Sequence, residues 1–179
     1  MRRSLRPLFY LFILFFSTSV LHAQNFTPGN LALLQAEASA NNTTCNVIEI
    51  SATNVNQTTG LTTYTISGTG ANALRFSGSA TSTGYLSSTS DRSLLSFTGA
   101  NNTNTGSNVN TLNPRAVGTL SNNQTFTIAT TYTGTSGDQT RSATSLNNTN
   151  WFIADQGGLF TNNAGSASPS GNFRSVKPF

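Results

Sequence analysis

The chain predicts an all-β fold of antiparallel hairpins repeated in four-stranded units. Three observations carry that expectation. Thr, Val, Ile, Phe and Tyr recur at short intervals between Asn, Gly and Ser clusters, the composition of short strands joined by turns. No stretch after residue 24 sustains the 3.6-residue apolar period of a helix. Finally, one pattern recurs. Ser121-Asn122-Asn123-Gln124-Thr125-Phe126-Thr127-Ile128-Ala129 is echoed by Leu146-Asn147-Asn148-Thr149-Asn150-Trp151-Phe152-Ile153-Ala154, and Ser90-Asp91-Arg92-Ser93-Leu94-Leu95-Ser96-Phe97 reads as a third copy. Each is a polar turn entering an aromatic-bearing strand.

Taken in order, the chain opens with a secretion signal. Arg2, Arg3 and Arg6 precede the apolar run Leu8 to Phe16, and Ser17 to Ala23 turns small and mixed. This order predicts residues 1–23 as a cleaved signal, cut between Ala23 and Gln24. The domain is then 24–179, long enough for one real core. Leu31-Ala32-Leu33-Leu34-Gln35-Ala36, after the Pro28-Gly29-Asn30 turn, reads as a strand rather than a helix. Val47 to Ser51 and Thr62 to Ser67 alternate as strands do. The strands Gly84 to Thr89, Arg115 to Leu120 and Arg141 to Ser145 each lead into one of the repeated turns. Gly99 to Pro114 and Asn162 to Asn172 read as exposed polar loops, and Phe173 to Phe179 as the start of another strand.

The hairpins recur every 25 to 30 residues or so, and two of them make a unit of roughly 50, close to a propeller blade. The fold expected is thus a partial β-propeller, open or truncated, of about three blades and incomplete at the C-terminal end, since closure takes about 4–8.

Subtracting the signal changes the chemistry. It holds His22, the one histidine, and three of the nine Lys and Arg residues, leaving six basic against five acidic side chains. Six scattered cations cannot form the phosphate-neutralising stripe of a nucleic-acid binder, so no nucleic-acid partner is expected. The run Leu8 to Phe16 is too short to span a bilayer, and no later segment approaches the length needed, so no transmembrane segment is expected after the cut. Cys45 stands alone and reads as a small strand residue; a nucleophilic thiol would want a histidine partner.

Gly68-Thr69-Gly70-Ala71-Asn72-Ala73 matches a dinucleotide fingerprint, but no helical face follows, and a turn is the better reading. The carboxylates Glu37, Glu49, Asp91, Asp138 and Asp155 show no paired spacing for acid–base work. Neither zinc nor calcium spacing occurs. No catalytic, cofactor-binding or metal-ligating residue is therefore assigned. Tyr64, Tyr85, Tyr132 and Trp151 suit stacking on sugar rings where exposed, although each sits in or beside a strand and packing is the favoured role. Tyr85, Tyr132 and Trp151, with Asp155 at a strand end before Gly157-Gly158, are the ligand-contact candidates.

Phe26-Thr27-Pro28-Gly29-Asn30-Leu31, Asn113-Pro114-Arg115-Ala116-Val117-Gly118, Arg141-Ser142-Ala143-Thr144-Ser145, Asp155-Gln156-Gly157-Gly158 and Phe173-Arg174-Ser175-Val176-Lys177 carry a resemblance. Together they resemble the N-terminal part of secreted β-propeller-like proteins of Bacteroidetes-type bacteria. The resemblance implies a propeller and an extracellular or cell-surface address, and brings no catalytic residues. The leading expectation is a secreted, non-catalytic binding or surface module whose partner is a glycan or a protein at the cell surface. A secreted polysaccharide- or peptide-active hydrolase and a structural or adhesive surface repeat are the alternatives.

Overall fold

In β1 (Leu31–Ala36) the side chains of Ala32, Leu34 and Ala36 turn inward while Leu31 and Leu33 stay exposed. This period of two is the signature of a sheet covered on one face. The computed structural model describes residues 25–179; the signal and its Ala23–Gln24 cut lie outside the described residues. Strand β1 pairs with β2 (Cys45–Ile50), and β2 with β3 (Thr62–Ile66), both antiparallel, giving a first sheet in the order β1-β2-β3. Cys45 and Val47 of β2 and Ile66 of β3 complete its inner face.

A four-stranded sheet follows, in the order β4 (Ser87–Ser88), β5 (Leu94–Ala100), β6 (Arg115–Ser121), β7 (Phe126–Tyr132). A third sheet joins β8 (Thr140–Ser145), β9 (Trp151–Asp155) and β10 (Gly158–Thr161), with β9 central. The four-stranded unit expected from two hairpins therefore exists once, in the middle. Hairpin β8–β9 is completed by β10 alone. That strand escapes a sequence reading because its turn, Gln156-Gly157, is only two residues long and β10 itself only four.

The repeated turns match to the atom. In each, an Asp or Asn side chain accepts from a hydroxyl two residues before it and from the amide two residues after it. Thr89 Oγ1 and the Ser93 amide donate to Asp91, at 2.7 and 3.0 Å. Ser121 Oγ and the Thr125 amide donate to Asn123. Ser145 Oγ and the Thr149 amide donate to Asn147. The residue between is left-handed every time, with φ of 59° at Arg92 and 61° at both Gln124 and Asn148. Side-chain bonds to nearby amides are what let Asx residues fix such turns.

The middle sheet packs on both faces. Phe97, Ala116 and Leu120, with Phe126 and Ile128, meet the first sheet, and Leu74 and Phe76 from the β3–β4 connection fill the gap. Val117 and Tyr132 meet Ala143, Trp151, Ile153 and Phe160 of the third. One β-bulge makes this two-faced packing possible. Ile128 pairs with Gly118 but Thr130 with Val117, so Ala129 is the extra residue. An extra residue reverses the side-chain phase. Phe126 and Ile128 therefore point to the first sheet, and Tyr132 to the third. Gly118 is needed here: a Cβ on it would meet Leu74 and the Phe126 ring at 2.8 Å.

Three further expectations are corrected. Gly99 to Pro114 is not simply an exposed loop. Gly99 and Ala100 finish β5, and a 3-10 turn at Val109–Thr111 buries Val109 and Asn110. Of Gly84 to Thr89 only Ser87 and Ser88 pair with β5 as a strand, and amides on either side bond to β8 instead: the Tyr85 amide to Arg141 O and the Ser90 amide to Ser145 O. Residues 173–179 form no strand. They run along β8, where the Val176 amide donates to Ser142 Oγ and Ser87 Oγ to the Val176 carbonyl.

Candidate functional site

Three of the four ligand-contact candidates converge on the interior. Trp151 is 1% exposed, Tyr132 2% and Asp155 0%, so none of them faces solvent. The physical reason is the stacking of the third sheet on the middle one: Trp151, Ile153 and Asp155 alternate along β9 and all point between the sheets. Asp155 accepts from Arg115 Nη1 and from the Tyr132 hydroxyl, both at 2.8 Å, and its other oxygen from the Gly157 amide. Arg115 Nη2 donates to the carbonyls of Asn110 and Thr135. Arg115 and Asp155 are both fully buried. Burial, then the neighbouring Asp155 charge, pushes the Tyr132 phenol well above its ordinary value, so it serves as a neutral donor. The backbone must leave room for the guanidinium: a Cβ on Gly134 would lie 2.4 Å from it. This knot ties β6 and β7 to β9, and its charged side chains do not reach solvent.

Tyr85 is the candidate that reaches solvent, at 37% exposure, just before β4. Tyr85 lines no part of the surface cleft bordered by the residues that follow it, Leu86 to Ser90. One part, about 300 Å³, lies between residues 26–32, Glu49 and the β4–β5 and β6–β7 turns. A second, about 610 Å³, continues from Asn30, Leu31 and Ala32 along Leu86 to Ser90 and ends at Lys177, Pro178 and Phe179. Both parts share Arg92 and Leu95. The cleft thus runs between the edge of β1 and the β4–β5 hairpin. Its floor has aliphatic carbons from Leu31, Ala32, Leu86 and Leu95. Its rim carries Ser, Thr and Asn side chains and two exposed cations, Arg92 and Lys177.

Among the described residues Glu49 is the one carboxylate side chain lining the cleft, and it is 2% exposed. Burial works against its ionisation. Donation from Asn30 Nδ2 at 2.6 Å and from the Thr27 amide at 2.9 Å outweighs burial and holds it below the usual carboxylate range. Glu49 is thus a committed anion pinning residues 27–30 to β2. Asp91, in the turn beside Arg92, is held well below its ordinary value by Thr89, Ser93 and Asn148. Cys45 is buried, and its thiol is pushed up to about 12 by burial and then by Glu37. Such a thiol carries no thiolate nucleophile at neutral pH.

Glu49 and Asp91 are both held ionised at neutral pH, so neither is a general acid there. Among the described residues no group of three or more His, Cys, Asp or Glu gathers to hold a metal. Nor, among them, is any helix long and apolar enough to cross a membrane. What the cleft offers is hydrogen bonding along a trough with an apolar floor and a cationic rim. Sequence reasoning missed it because Asn30, Arg92 and Lys177 are far apart in the chain; the only local signal was the Pro28-Gly29-Asn30 turn. Compared with protein-family models, curated proteins and solved structures, the chain matches none.

Proposed function

We propose that this is a secreted, non-catalytic binding module that takes an extended glycan or protein segment of the cell surface in the cleft between β1 and the β4–β5 hairpin. The observation that carries the reading is the makeup of that cleft: hydroxyl and amide groups with two cations over an aliphatic floor, and no acid–base pair. A trough of this kind recognises a polyhydroxyl or extended chain by many modest hydrogen bonds. The proposed architecture is an arc of a β-propeller. In its support, three meandering sheets follow one another in chain order and pack face to face. The segment before the second sheet's first hairpin also runs parallel to β8, as the first strands of successive blades do. The signal at 1–23 and the resemblance to secreted propeller-like proteins favour the same address.

The test is binding of purified protein to immobilised polysaccharides, one neutral and one sulfated, alongside a turnover assay on both. Binding that weakens at least tenfold in an Arg92→Ala, Lys177→Ala double variant is expected, with no product released. Release of product by the wild type, abolished by Glu49→Gln, would make the hydrolase reading correct instead. Binding unchanged in the double variant would remove the cleft from the account.

A further inference from the structure

The last residues of the chain lie along β8 with little burial of their own. Residues 171–175 are all exposed, so hydrogen bonds rather than packing hold them. The Phe173 amide donates to the Asp155 carbonyl at 3.2 Å, and the Val176 amide to Ser142 Oγ at 2.8 Å. Ser87 Oγ donates to the Val176 carbonyl at 3.3 Å. Arg141 supplies the rest: its Nη1 donates to Asn172 Oδ1 and, at 2.9 Å, to the Phe173 carbonyl. From there the chain reaches the cleft, where Lys177, Pro178 and Phe179 form the end of the second part.

We infer that residues 172–179 are a strap forming one wall of the cleft, and that Arg141 is the positioning residue that anchors it. The inference rests on the binding role proposed above for the cleft. The setting of Arg141 supports it. The side chain is 1% exposed, yet it pairs with no carboxylate: among the described residues the ion pair is Arg115 with Asp155. Its Nε is buried and, among the described residues, has no hydrogen-bond partner. Burial, and after it the Arg174 charge, weigh against its charged form. The two acceptors that a guanidinium buried at this cost does meet both belong to the strap.

Arg141 lines neither part of the cleft, so its effect on a ligand passes through the strap. The strap carries Lys177, one of the two cations of the rim, directly after the bonds at Val176. Without Arg141 it keeps only neutral bonds, at Phe173 and Val176. Those are about half as strong as bonds from a charged donor. Lys177 then loses its fixed place on the rim. A ligand that touches Lys177 holds the strap down in return, because coupling of this kind is reciprocal.

Two measurements on the chain from Gln24 onward test this: hydrogen exchange at the Val176 amide, and binding to the same two immobilised polysaccharides. Arg141→Gln and Asn172→Ala should each speed Val176 exchange about tenfold, through loss of a bond to a charged donor, while the β6 amides keep their rate. Asn172 is exposed and lies in no strand, so its substitution decides the matter should Arg141→Gln disturb the fold. Arg141→Lys, which keeps the charge, should hold the strap better than Arg141→Gln. Each releasing variant should weaken binding at least as much as Lys177→Ala does, about threefold. In the Asn172→Ala background Lys177→Ala should cost nothing further. Bound polysaccharide should slow Val176 exchange in the wild type. Val176 exchange that neither variant changes overturns the inference and leaves the binding role of the cleft standing, as does unchanged binding once the strap is released. A wild type that binds neither polysaccharide overturns both.

Discussion

At the scale of single residues, the interior is decided by one ion pair. Arg115 and Asp155 are fully buried, and each is held by more than the other: Asp155 by Tyr132 and the Gly157 amide, Arg115 by two carbonyls. Removing one partner of such a pair leaves an uncompensated charge in a low-dielectric space. Asp155→Ala should therefore destabilise the protein by about 3–5 kcal/mol. Tyr132→Phe removes only a hydroxyl donor to a charged acceptor and should cost about 1.5–3 kcal/mol. Urea denaturation at pH 7 measures both, and equal small losses would show that the pair contributes little. None of this was legible in the sequence. The two residues stand 40 apart, and nothing in the local pattern marks Asp155 as inward except its place in the Trp151, Ile153, Asp155 alternation. That same alternation would have argued against a ligand role for Trp151.

Glu49 acts over a shorter range. Its carboxylate is held below its ordinary value of 4.5, so the linkage has a definite sign. The stability it lends is complete above that value and is lost as the pH falls through the lower, folded value. As the pH falls below 4.5 and through the lower, folded value, the Thr27 and Asn30 bonds should weaken, loosening residues 26–30 over the cleft. Glu49→Gln should reproduce the loosening at pH 7 and flatten its pH dependence. Amide exchange at Thr27 reports both effects, and protection there that stays constant from pH 7 down to the onset of acid unfolding, after correction for intrinsic rates, would deny Glu49 this role.

The elements were the most legible level. Nearly every strand is where alternation and Asn-rich turns place it, and the recurring turn proved to be a recurring set of hydrogen bonds around Asp91, Asn123 and Asn147. What alternation cannot see is a partner from another sheet. Gly84 to Thr89 has the composition of a full strand, yet the Tyr85 and Ser90 amides bond to β8 and only Ser87 and Ser88 pair with β5. The turns themselves make a quantitative prediction. Gln124 sits at φ 61°, where a β-branched side chain is strained and glycine is at ease. Both Gln124→Val and Gln124→Gly lose whatever the Gln124 side chain contacts, so Gln124→Val should be less stable than Gln124→Gly by about 1–2 kcal/mol. Thermal melting of the two variants separates them; identical shifts would mean that the left-handed residue is not what limits the turn.

At the scale of the whole molecule, the three sheets are not equivalent. The first and third each bury one face on the middle sheet, which packs on both faces at β5 and β6, leaves Thr127 and Ala129 of its edge strand β7 exposed, and contributes residues to both cores. Leu120 and Ala116 of β6 belong to one core and Val117 to the other, and Arg115 at its start enters the ionic knot. Neither core can open without exposing β6, while the first sheet can loosen with the knot intact. Local opening follows such differences in buried contact. Amides of β5 and β6 should therefore exchange with solvent only through global unfolding, at the slowest rates in the protein. Those of β1, an edge strand with Leu31 and Leu33 exposed, should exchange by local opening at least a hundredfold faster. Asp155→Ala should speed β6 by the full loss of global stability but leave β1 nearly unchanged, because the first core contains no part of the knot. Exchange at β1 and β6 that rose together in that variant would mean that the three sheets unfold as one unit, and the hierarchy argued from the two cores would fall.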